Sequence, residues 1–453
     1  METPTGNRQV LFISLGCDKN RVDSERMLGQ LTCEGFEIVQ EEEEADIIIV
    51  NTCCFIDSAK EESINTILDM AEYRREGRCR TLIVAGCMAE RYKEEIFQEI
   101  PEVDAIVGTN SYDRIREAIL EAEAGNRPSF MAPPETAISE EPPRVLTTGG
   151  FFAYLKIAEG CDRHCTYCVI PSLRGPYRSV PMEELLKEAA SLAEQGVREL
   201  ILVAQDTARY GEDLYGEKKL HVLLKKLCEI DGLAWIRILY VYPEEIYPEL
   251  VAVMKDEPKI CHYLDMPIQH SEDRILRRMG RKTTGESLRK TAAMLREEIP
   301  DITLRTTLIT GFPGETEEEH EALMRFVKEM RFERLGVFTY SQEEGTPAAS
   351  MPDQIPDEVK ERRMEELLLA QQQISLENGE KRIGDTCTVF IEGYIPEDGV
   401  WVGRTAADTP DVDGMFFLES MEELHSGDLV RAVVSEAGEY DLFGYLCPEE
   451  EQL

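Results

Sequence analysis

The sequence predicts an α/β chain of three modules: a doubly wound parallel sheet, a partial barrel of six βα units and a small antiparallel β-barrel. Strand-like apolar runs alternate with helical patterns over about 9–124, and the alternation resumes from 150 to about 340. Near the C-terminus, five short β-rich runs are instead separated by Gly, Pro and Asp turns. We place the modules at 8–125, 149–380 and 381–449. Between the first two, 126–148 contains five prolines and little periodicity, which is typical of an extended linker.

The composition is that of a globular protein. The 453 residues are 42% hydrophobic and 30% charged. No apolar run approaches the roughly 20 residues of a membrane span, and the start METPTGNRQV lacks a signal-peptide pattern. We therefore expect a cytoplasmic protein without membrane contact, whose thirteen cysteines are reduced thiols or metal ligands.

The charge is strongly acidic. The chain has 49 Lys and Arg against 89 Asp and Glu, a net charge of −40. Residues 381–453 alone contain four basic and seventeen acidic residues. Because nucleic-acid affinity begins with cations neutralising phosphates, direct nucleic-acid binding is not expected, and a basic partner is favoured.

In the first module, a cysteine follows each of three predicted strands. Residues 9–17 are predicted to form a strand that ends in a Gly-Cys turn at Cys17, and the strands at 45–51 and 81–85 are followed by Cys53 and Cys87. Since the carboxyl ends of parallel strands share one edge, we expect these thiols, here called the edge set, to form a ligand set. Three unrelated buried thiols are the alternative. Cys54 is also a candidate in place of Cys53.

In the second module, a CxxxCxxC loop follows the first of six predicted strands. The strands are Ala153–Ile157, Glu199–Ala204, Trp235–Leu239, His262–Leu264, Thr303–Ile309 and Gly336–Tyr340. Active sites of such βα barrels lie at the carboxyl ends of the strands. Cys161, Cys165 and Cys168, the loop set, can hold an iron–sulfur cluster with one iron left open. A zinc site with His164 as the fourth ligand is the alternative.

Several motifs resemble a known family. They are Tyr154–Cys161 with the CxxxCxxC spacing, Leu15–Glu25, Val50–Cys53, Gly86–Cys87 with Arg91–Tyr92, and Gly311–Thr316. The first resembles the radical S-adenosylmethionine (SAM) superfamily. The others are similar to the methylthiotransferases, in particular the RimO-type branch that modifies a ribosomal protein. The resemblance implies a methylthiotransferase N-terminal domain, a radical-SAM domain and a C-terminal TRAM domain.

The resemblance also implies two 4Fe–4S clusters, a radical-SAM cluster on the loop set and an auxiliary cluster on the edge set. It assigns the SAM pocket to Tyr167, Gln205, Asp206, Gly311, Phe312, Pro313, Gly314 and Glu315. Arg305 is expected either to pair with the SAM carboxylate or to point outward. His270 is expected either in the pocket or as an ordinary histidine at a strand end.

The implied reaction is methylthiolation of the β-carbon of an aspartate in ribosomal protein number twelve of the small subunit. SAM would be both methyl donor and radical source, so no side chain is expected to be catalytic. A flavodoxin-like or ferredoxin-like protein would supply electrons. The alternative substrate is a transfer-RNA adenosine. Asp18-Lys19-Asn20 favours the ribosomal-protein branch, because the RNA-modifying branch resembles Gln-Met-Asn at this point.

Overall fold

The computed structural model of the chain describes residues 8–133 and 144–448. The middle of the expected linker, 134–143, and the last residue of the expected C-terminal module, 449, lie outside this range. Within it, no helix combines the length and apolar character needed to cross a membrane.

Two compact units make up the chain, and neither is continuous in sequence. The first comprises Met1–Gly149, Ala158–Arg178 and Ser341–Ala349, and the second comprises Gly150–Ile157, Ser179–Tyr340 and Ser350–Leu453. The cysteines of the edge set and of the loop set therefore belong to one unit.

A six-stranded parallel sheet forms the centre of the first unit, with strand order β2-β1-β3-β4-β5-β6. The elements are β1 (Gln9–Ser14), α1 (Asp18–Cys33), β2 (Glu37–Val39), β3 (Ile47–Thr52), α2 (Asp57–Glu76), β4 (Thr81–Gly86), α3 (Cys87–Tyr92), α4 (Glu94–Glu99), β5 (Ala105–Val107), α5 (Ile115–Glu123) and β6 (Ser129–Phe130). Side chains of β3 alternate between two cores: Ile48 and Val50 pack on one face, Ile47 and Ile49 on the other. Burial on both faces explains the uninterrupted apolar run.

The end of the expected linker is fastened to α1 by a buried carboxylate. The side chain of Glu25 accepts hydrogen bonds from the backbone N and the Oγ1 of Thr147, at 2.9 and 3.0 Å, and pairs with Arg144. The backbone carbonyl of Glu25 accepts from Val145 N at 3.1 Å. Within the same expected linker, Ser129–Phe130 forms the sixth strand.

The second parallel sheet has strand order β7-β10-β11-β12-β13-β14, so each strand lies beside the next one along the chain. The elements from here to the C-terminal module are β7 (Phe152–Lys156), β8 (Ala158–Glu159), α6 (Ile170–Arg174), β9 (Arg178–Ser179), α7 (Met182–Glu194), β10 (Glu199–Val203), α8 (Glu212–Tyr215), α9 (Leu220–Cys228), β11 (Trp235–Ile238), α10 (Pro248–Asp256), β12 (Ile260–Asp265), α11 (Asp273–Arg278), α12 (Gly285–Glu298), β13 (Thr303–Thr310), α13 (Glu317–Met330), β14 (Arg334–Thr339) and α14 (Asp357–Glu380). The predicted six-stranded partial barrel is confirmed.

A closed five-stranded barrel follows, with order β15-β16-β17-β19-β18. Its strands are β15 (Thr386–Ile395), β16 (Val400–Thr405), β17 (Phe416–Glu419), β18 (Leu429–Ala437) and β19 (Leu442–Leu446). Alternating residues such as Phe416 and Leu418 fill its core. Four of its strand pairs are antiparallel, whereas β17 and β19 run parallel. The sequence pattern predicted the barrel but not this pair, because strand direction follows from the connections.

Candidate functional site

The edge set is gathered at the carboxyl ends of three neighbouring strands. Cys17 lies just beyond β1 at the start of α1, Cys53 follows β3, and Cys87 follows β4 as the first residue of α3. Burial, together with the nearby thiols of Cys87 and Cys17, raises the pKa of the Cys53 thiol to about 12. The topology therefore brings these three thiols together, as the sequence predicts.

Two glycines allow the cysteine-bearing turns to close. Gly16 has φ +89°, and a Cβ on it would lie 2.6 Å from Cys53 Cβ. Gly160 has φ +81°, and a Cβ there would lie 2.1 Å from the carbonyl oxygen of Pro176. Any other residue at either position combines backbone strain with a steric clash.

Two asparagines hold the edge-set turns in place. The Asn20 side chain donates to the carbonyl oxygens of Leu15 at 2.5 Å and Thr52 at 3.3 Å. Asn51 donates to the Asn20 carbonyl at 3.1 Å and to Ser24 Oγ at 2.8 Å. Because these amides bond the turn after β1 to the end of β3, they fix the separation of the two strand exits.

Cys53 and Cys54 have different surroundings. Cys54 is fully buried in an apolar cluster that includes Ile67 and Val84. Cys53 lies at the end of β3, where its N donates to Ser63 Oγ at 3.1 Å and its carbonyl accepts from the same hydroxyl at 2.8 Å. This placement favours Cys53 as the ligand.

The loop set lies between β8 and α6. Cys161 N donates to the Gly175 carbonyl at 3.0 Å, and Cys168 N donates to the Cys165 carbonyl at 3.1 Å. Cys161 and Cys165 are buried and Cys168 is half-buried, whereas His164 is exposed. A tight turn thus carries the three thiols, with the histidine on its solvent side.

The donor chemistry of both sets fits iron–sulfur clusters. Tetrahedral zinc, with Zn–S bonds of about 2.3 Å, brings its thiolates to within about 4 Å of one another. Among the described residues, only Glu41, Glu42 and Glu43 place three candidate ligand atoms within 4.8 Å of one another. Neither cysteine set brings its three sulfur atoms within 4.8 Å of one another. Three cysteine thiolates per set can hold an iron–sulfur cluster with one iron left open.

Arg174, at the end of α6, is a site residue that the sequence reasoning missed. Its side chain is 2% exposed. Nη1 donates to Asp23 at 2.9 Å and to Glu159 at 2.7 Å, and Nη2 lies 3.7 Å from Cys87 Sγ. Burial alone would lower the pKa of Arg174, but the charges of Glu159, Cys87 and Asp23 raise it well above its usual range. The available signal was an Arg-Gly-Pro turn shortly after the loop set.

A buried carboxylate after β14 was also missed. Glu343 accepts from Arg91 at 2.7 Å and from Lys60 at 3.1 Å, and its other oxygen accepts from Ser341 Oγ at 2.8 Å. Arg91 also donates to the Cys54 carbonyl at 3.0 Å. This ion-pair cluster fixes the segment Ser341–Ala349 beside the turn after β3.

We expect Glu343→Gln to destabilise the first unit by about 3–5 kcal/mol, since removing one charge of a buried pair leaves the other uncompensated. Calorimetric unfolding measures this effect. Glu344→Gln is the matched control, because the side chains of Glu343 and Glu344 are 1% and 67% exposed. Its change should stay within about 0.5 kcal/mol. Equal effects of the two variants would contradict the prediction.

The residues expected to contact SAM lie at strand ends or in the loop set. Gln205 and Asp206 follow β10, and Tyr167 lies between the last two cysteines of the loop set. Gln205 and Tyr167 are half-buried, and Asp206 is buried. Their SAM contacts stay a prediction.

The Gly311–Glu315 loop follows β13 and is held by its own carboxylate. Glu315 accepts from Gly311 N, lies 3.4 Å from His270 Nε2 and pairs with Arg363 at 3.2 Å. Phe312 is buried, with its ring centroid 5.4 Å from that of Tyr340. The carboxylate and the ring contact protein, so what this loop can offer a cofactor is chiefly its backbone.

Arg305 lies in an ion-pair network within the second unit. Its guanidinium is 3.0 Å from Asp265 and 3.5 Å from Asp413, and Tyr263 Oη donates to Asp413 at 2.6 Å. Asp413 belongs to the C-terminal barrel, so these contacts fasten that barrel to β12 and β13. The guanidinium is therefore committed to protein carboxylates, and a role toward the SAM carboxylate stays a prediction.

Comparisons with known proteins identify the family. Residues 9–108 match the uncharacterized protein family UPF0004, residues 155–327 the radical SAM superfamily, and residues 383–446 the TRAM domain. A relative from Lachnoclostridium phytofermentans, named ribosomal protein uS12 methylthiotransferase RimO, is 59% identical over 96% of this chain and 99% of its own length. The chain belongs to the RimO family of methylthiotransferases.

Further RimO relatives agree. The RimO proteins of Geobacter sulfurreducens and Clostridioides difficile are 50% and 49% identical, each over 96% of this chain and 98% of the relative. The chain is thus a radical-SAM methylthiotransferase that uses SAM and iron–sulfur cofactors, and the predicted recognition and fold class are confirmed.

Solved structures agree in fold. The radical SAM methyltransferase TsrM of Kitasatospora setae has a TM-score of 0.55 at 14% identity, covering 84% of this chain and 79% of its own. The cobalamin-dependent SAM radical enzyme OxsB has a TM-score of 0.52 at 13% identity, covering 81% of this chain and 56% of its own. At these identities the likeness concerns the fold alone.

Proposed function

We propose that this enzyme methylthiolates the β-carbon of an aspartate in ribosomal protein uS12. It uses two 4Fe–4S clusters, and SAM serves as both methyl donor and radical source. The main supporting observation is that the first unit contains both the edge set and the loop set. The buried Arg174 contacts Cys87 of the edge set and Glu159 of the strand before the loop set. The name of the curated relatives, at 47–59% identity, supports the substrate.

In this proposal, Cys161, Cys165 and Cys168 hold the radical-SAM cluster, and the edge set holds the auxiliary cluster. When bound, these groups supply a radical able to remove hydrogen from an unactivated carbon and the methylthio group that replaces it. No side chain is assigned a catalytic role.

The polypeptide's contribution is positioning and exclusion of solvent. Burial of Cys53 and Cys87 in the edge set, and of Cys161 and Cys165 in the loop set, keeps water from most of the ligand atoms. Tyr167, Gln205, Asp206 and the backbone of the Gly311–Glu315 loop orient SAM. Fixed placement of this kind lowers the entropic part of a barrier.

The acidic C-terminal barrel supports a basic protein substrate rather than a nucleic acid. Some of its carboxylates are neutralised internally, as Asp408 is by Arg334 and Glu392 by Arg404. Others are exposed, namely Glu397, Asp398, Asp411, Glu419, Glu422, Glu423, Glu436 and Glu439. An exposed acidic surface attracts Lys-rich and Arg-rich partners and repels phosphates.

The enzyme acts in the cytoplasm with a flavodoxin-like or ferredoxin-like electron donor.

We expect the affinity for uS12 to fall as salt rises, because attractions between exposed charges are screened over about 10 Å at 0.1 M ionic strength. Titration calorimetry at several salt concentrations measures this dependence. The double variant Glu422→Gln/Glu423→Gln removes two exposed charges and should flatten it. An affinity that does not change with salt would contradict electrostatic docking.

Product mass spectrometry tests the proposal itself. The reconstituted enzyme is incubated with SAM and reductant, and with either purified uS12 or transfer RNA. We expect a methylthio mass gain on one aspartate of uS12. A gain on transfer RNA with none on uS12 would reject the proposed substrate.

A further inference from the structure

Arg174 makes the contact that connects the edge set with the approach to the loop set. Nη2 lies 3.7 Å from Cys87 Sγ and 3.4 Å from Asn20 Oδ1. Nη1 is shared by Asp23 of α1 and Glu159 of β8, and Glu159 lies two residues before the first cysteine of the loop set. One guanidinium fork therefore contacts elements beside both sets.

The charges around this contact are unusual for a buried position. The Asp23 and Glu159 side chains are 5% and 16% exposed, so the guanidinium and both carboxylates lie in a poorly solvated region. A hydrogen bond or a positive charge at a cluster thiolate stabilises the reduced, more negative state and raises the reduction potential. A carboxylate acts in the opposite direction.

We propose that Arg174 is a positioning residue of the edge set, which orients Cys87 and raises the reduction potential of the cluster held there, while Glu159 opposes it. This inference rests on the second cluster of the proposed function. It predicts potential shifts of opposite sign for the two residues. A merely structural role predicts either no shift or shifts of the same sign.

The test uses the full chain with the loop set replaced by Cys161→Ala, Cys165→Ala and Cys168→Ala, so that a single cluster remains. After anaerobic reconstitution, iron content is measured, and the midpoint potential follows from redox titration monitored by electron paramagnetic resonance. Arg174→Gln should reduce the equilibrium constant for one-electron reduction about tenfold, a shift of about 59 mV to more negative potential. Glu159→Gln should shift the potential to more positive values.

Two further variants keep the test decisive. Arg174→Lys retains the charge and should shift the potential less than Arg174→Gln. If Arg174→Gln does not fold, the midpoint potential of Arg174→Lys is compared with that of Glu159→Gln instead. Arg26→Gln is the matched control, because Arg26 is a buried arginine of the same unit that donates to Tyr112 Oη at 2.9 Å. Its potential should equal that of the parent.

The outcomes separate two failures. If the parent of this series binds no iron–sulfur cluster, the two-cluster proposal is overturned, and this inference with it. If the cluster binds but Arg174→Gln and Glu159→Gln leave its potential unchanged, or shift it in the same direction, the role of Arg174 alone is overturned.

Discussion

Replacing Cys17 by alanine is expected to abolish methylthiolation while reductive cleavage of SAM continues. The expectation follows from the separation of the two cysteine sets: Cys17 lies at the strand edge, whereas SAM cleavage is assigned to the loop between β8 and α6. Product formation should fall to background. Liquid chromatography of 5′-deoxyadenosine measures SAM cleavage, and mass spectrometry of uS12 measures methylthiolation.

The matched control is Cys33→Ala. Cys17 directly precedes α1 and Cys33 is its last residue, and both are exposed, but Cys33 does not follow a strand of the cysteine-bearing edge. This variant should retain both activities. If Cys17→Ala also stopped SAM cleavage in a folded protein, the separation of the two sets would be wrong.

Cys165→Ala is expected to remove both SAM cleavage and methylthiolation. Cys165 is the central, buried cysteine of the loop set, so its loss leaves two thiols for a cluster that needs three. The same two assays measure the effect, and both products should fall to background. Retained SAM cleavage would contradict the assignment of the loop set.

His164→Ala is the control within the same loop, and it also tests the zinc alternative. His164 is exposed, so its replacement should leave iron content and both activities unchanged. Wild-type protein with both sets loaded should contain about eight irons per chain. Zinc without sulfide, or loss of the metal in His164→Ala, would instead support a closed zinc site.

The sequence predicted the features that depend on local pattern and on sheet topology. Apolar runs identified the strands of both parallel sheets except β6, which lies in the expected linker. The shared edge of parallel strands predicted that Cys17, Cys53 and Cys87 would meet. Family motifs located the loop set and the Gly311–Glu315 turn. These features require only the strand order and the residues next to each strand end.

The missed features depend on side-chain partners that are distant in sequence. Arg174 pairs with Asp23 across 151 positions, and Glu343 with Arg91 across 252. A charged residue in a predicted loop is expected to be exposed unless its partner is known. The sequence therefore did not predict that Arg174 and Glu343 are buried. For Arg305, the alternation of side chains along β13 allowed either face of the sheet. In the structure its side chain lies beside Asp413, a carboxylate of the C-terminal barrel.

The discontinuity of the first unit bears on how the chain folds during synthesis. Its parallel sheet is complete once β6 has emerged, but Glu343, the partner of Arg91, is 252 residues later than that arginine. At translation rates of about 5–20 residues per second, Glu343 is synthesised roughly 13–50 s after Arg91. Until then, Arg91 and Lys60 lack their buried counter-charge. Folding of this unit therefore ends only after the strands β7 to β14 of the second unit have been synthesised. A nascent chain that stops before residue 343 has an incompletely stabilised first unit.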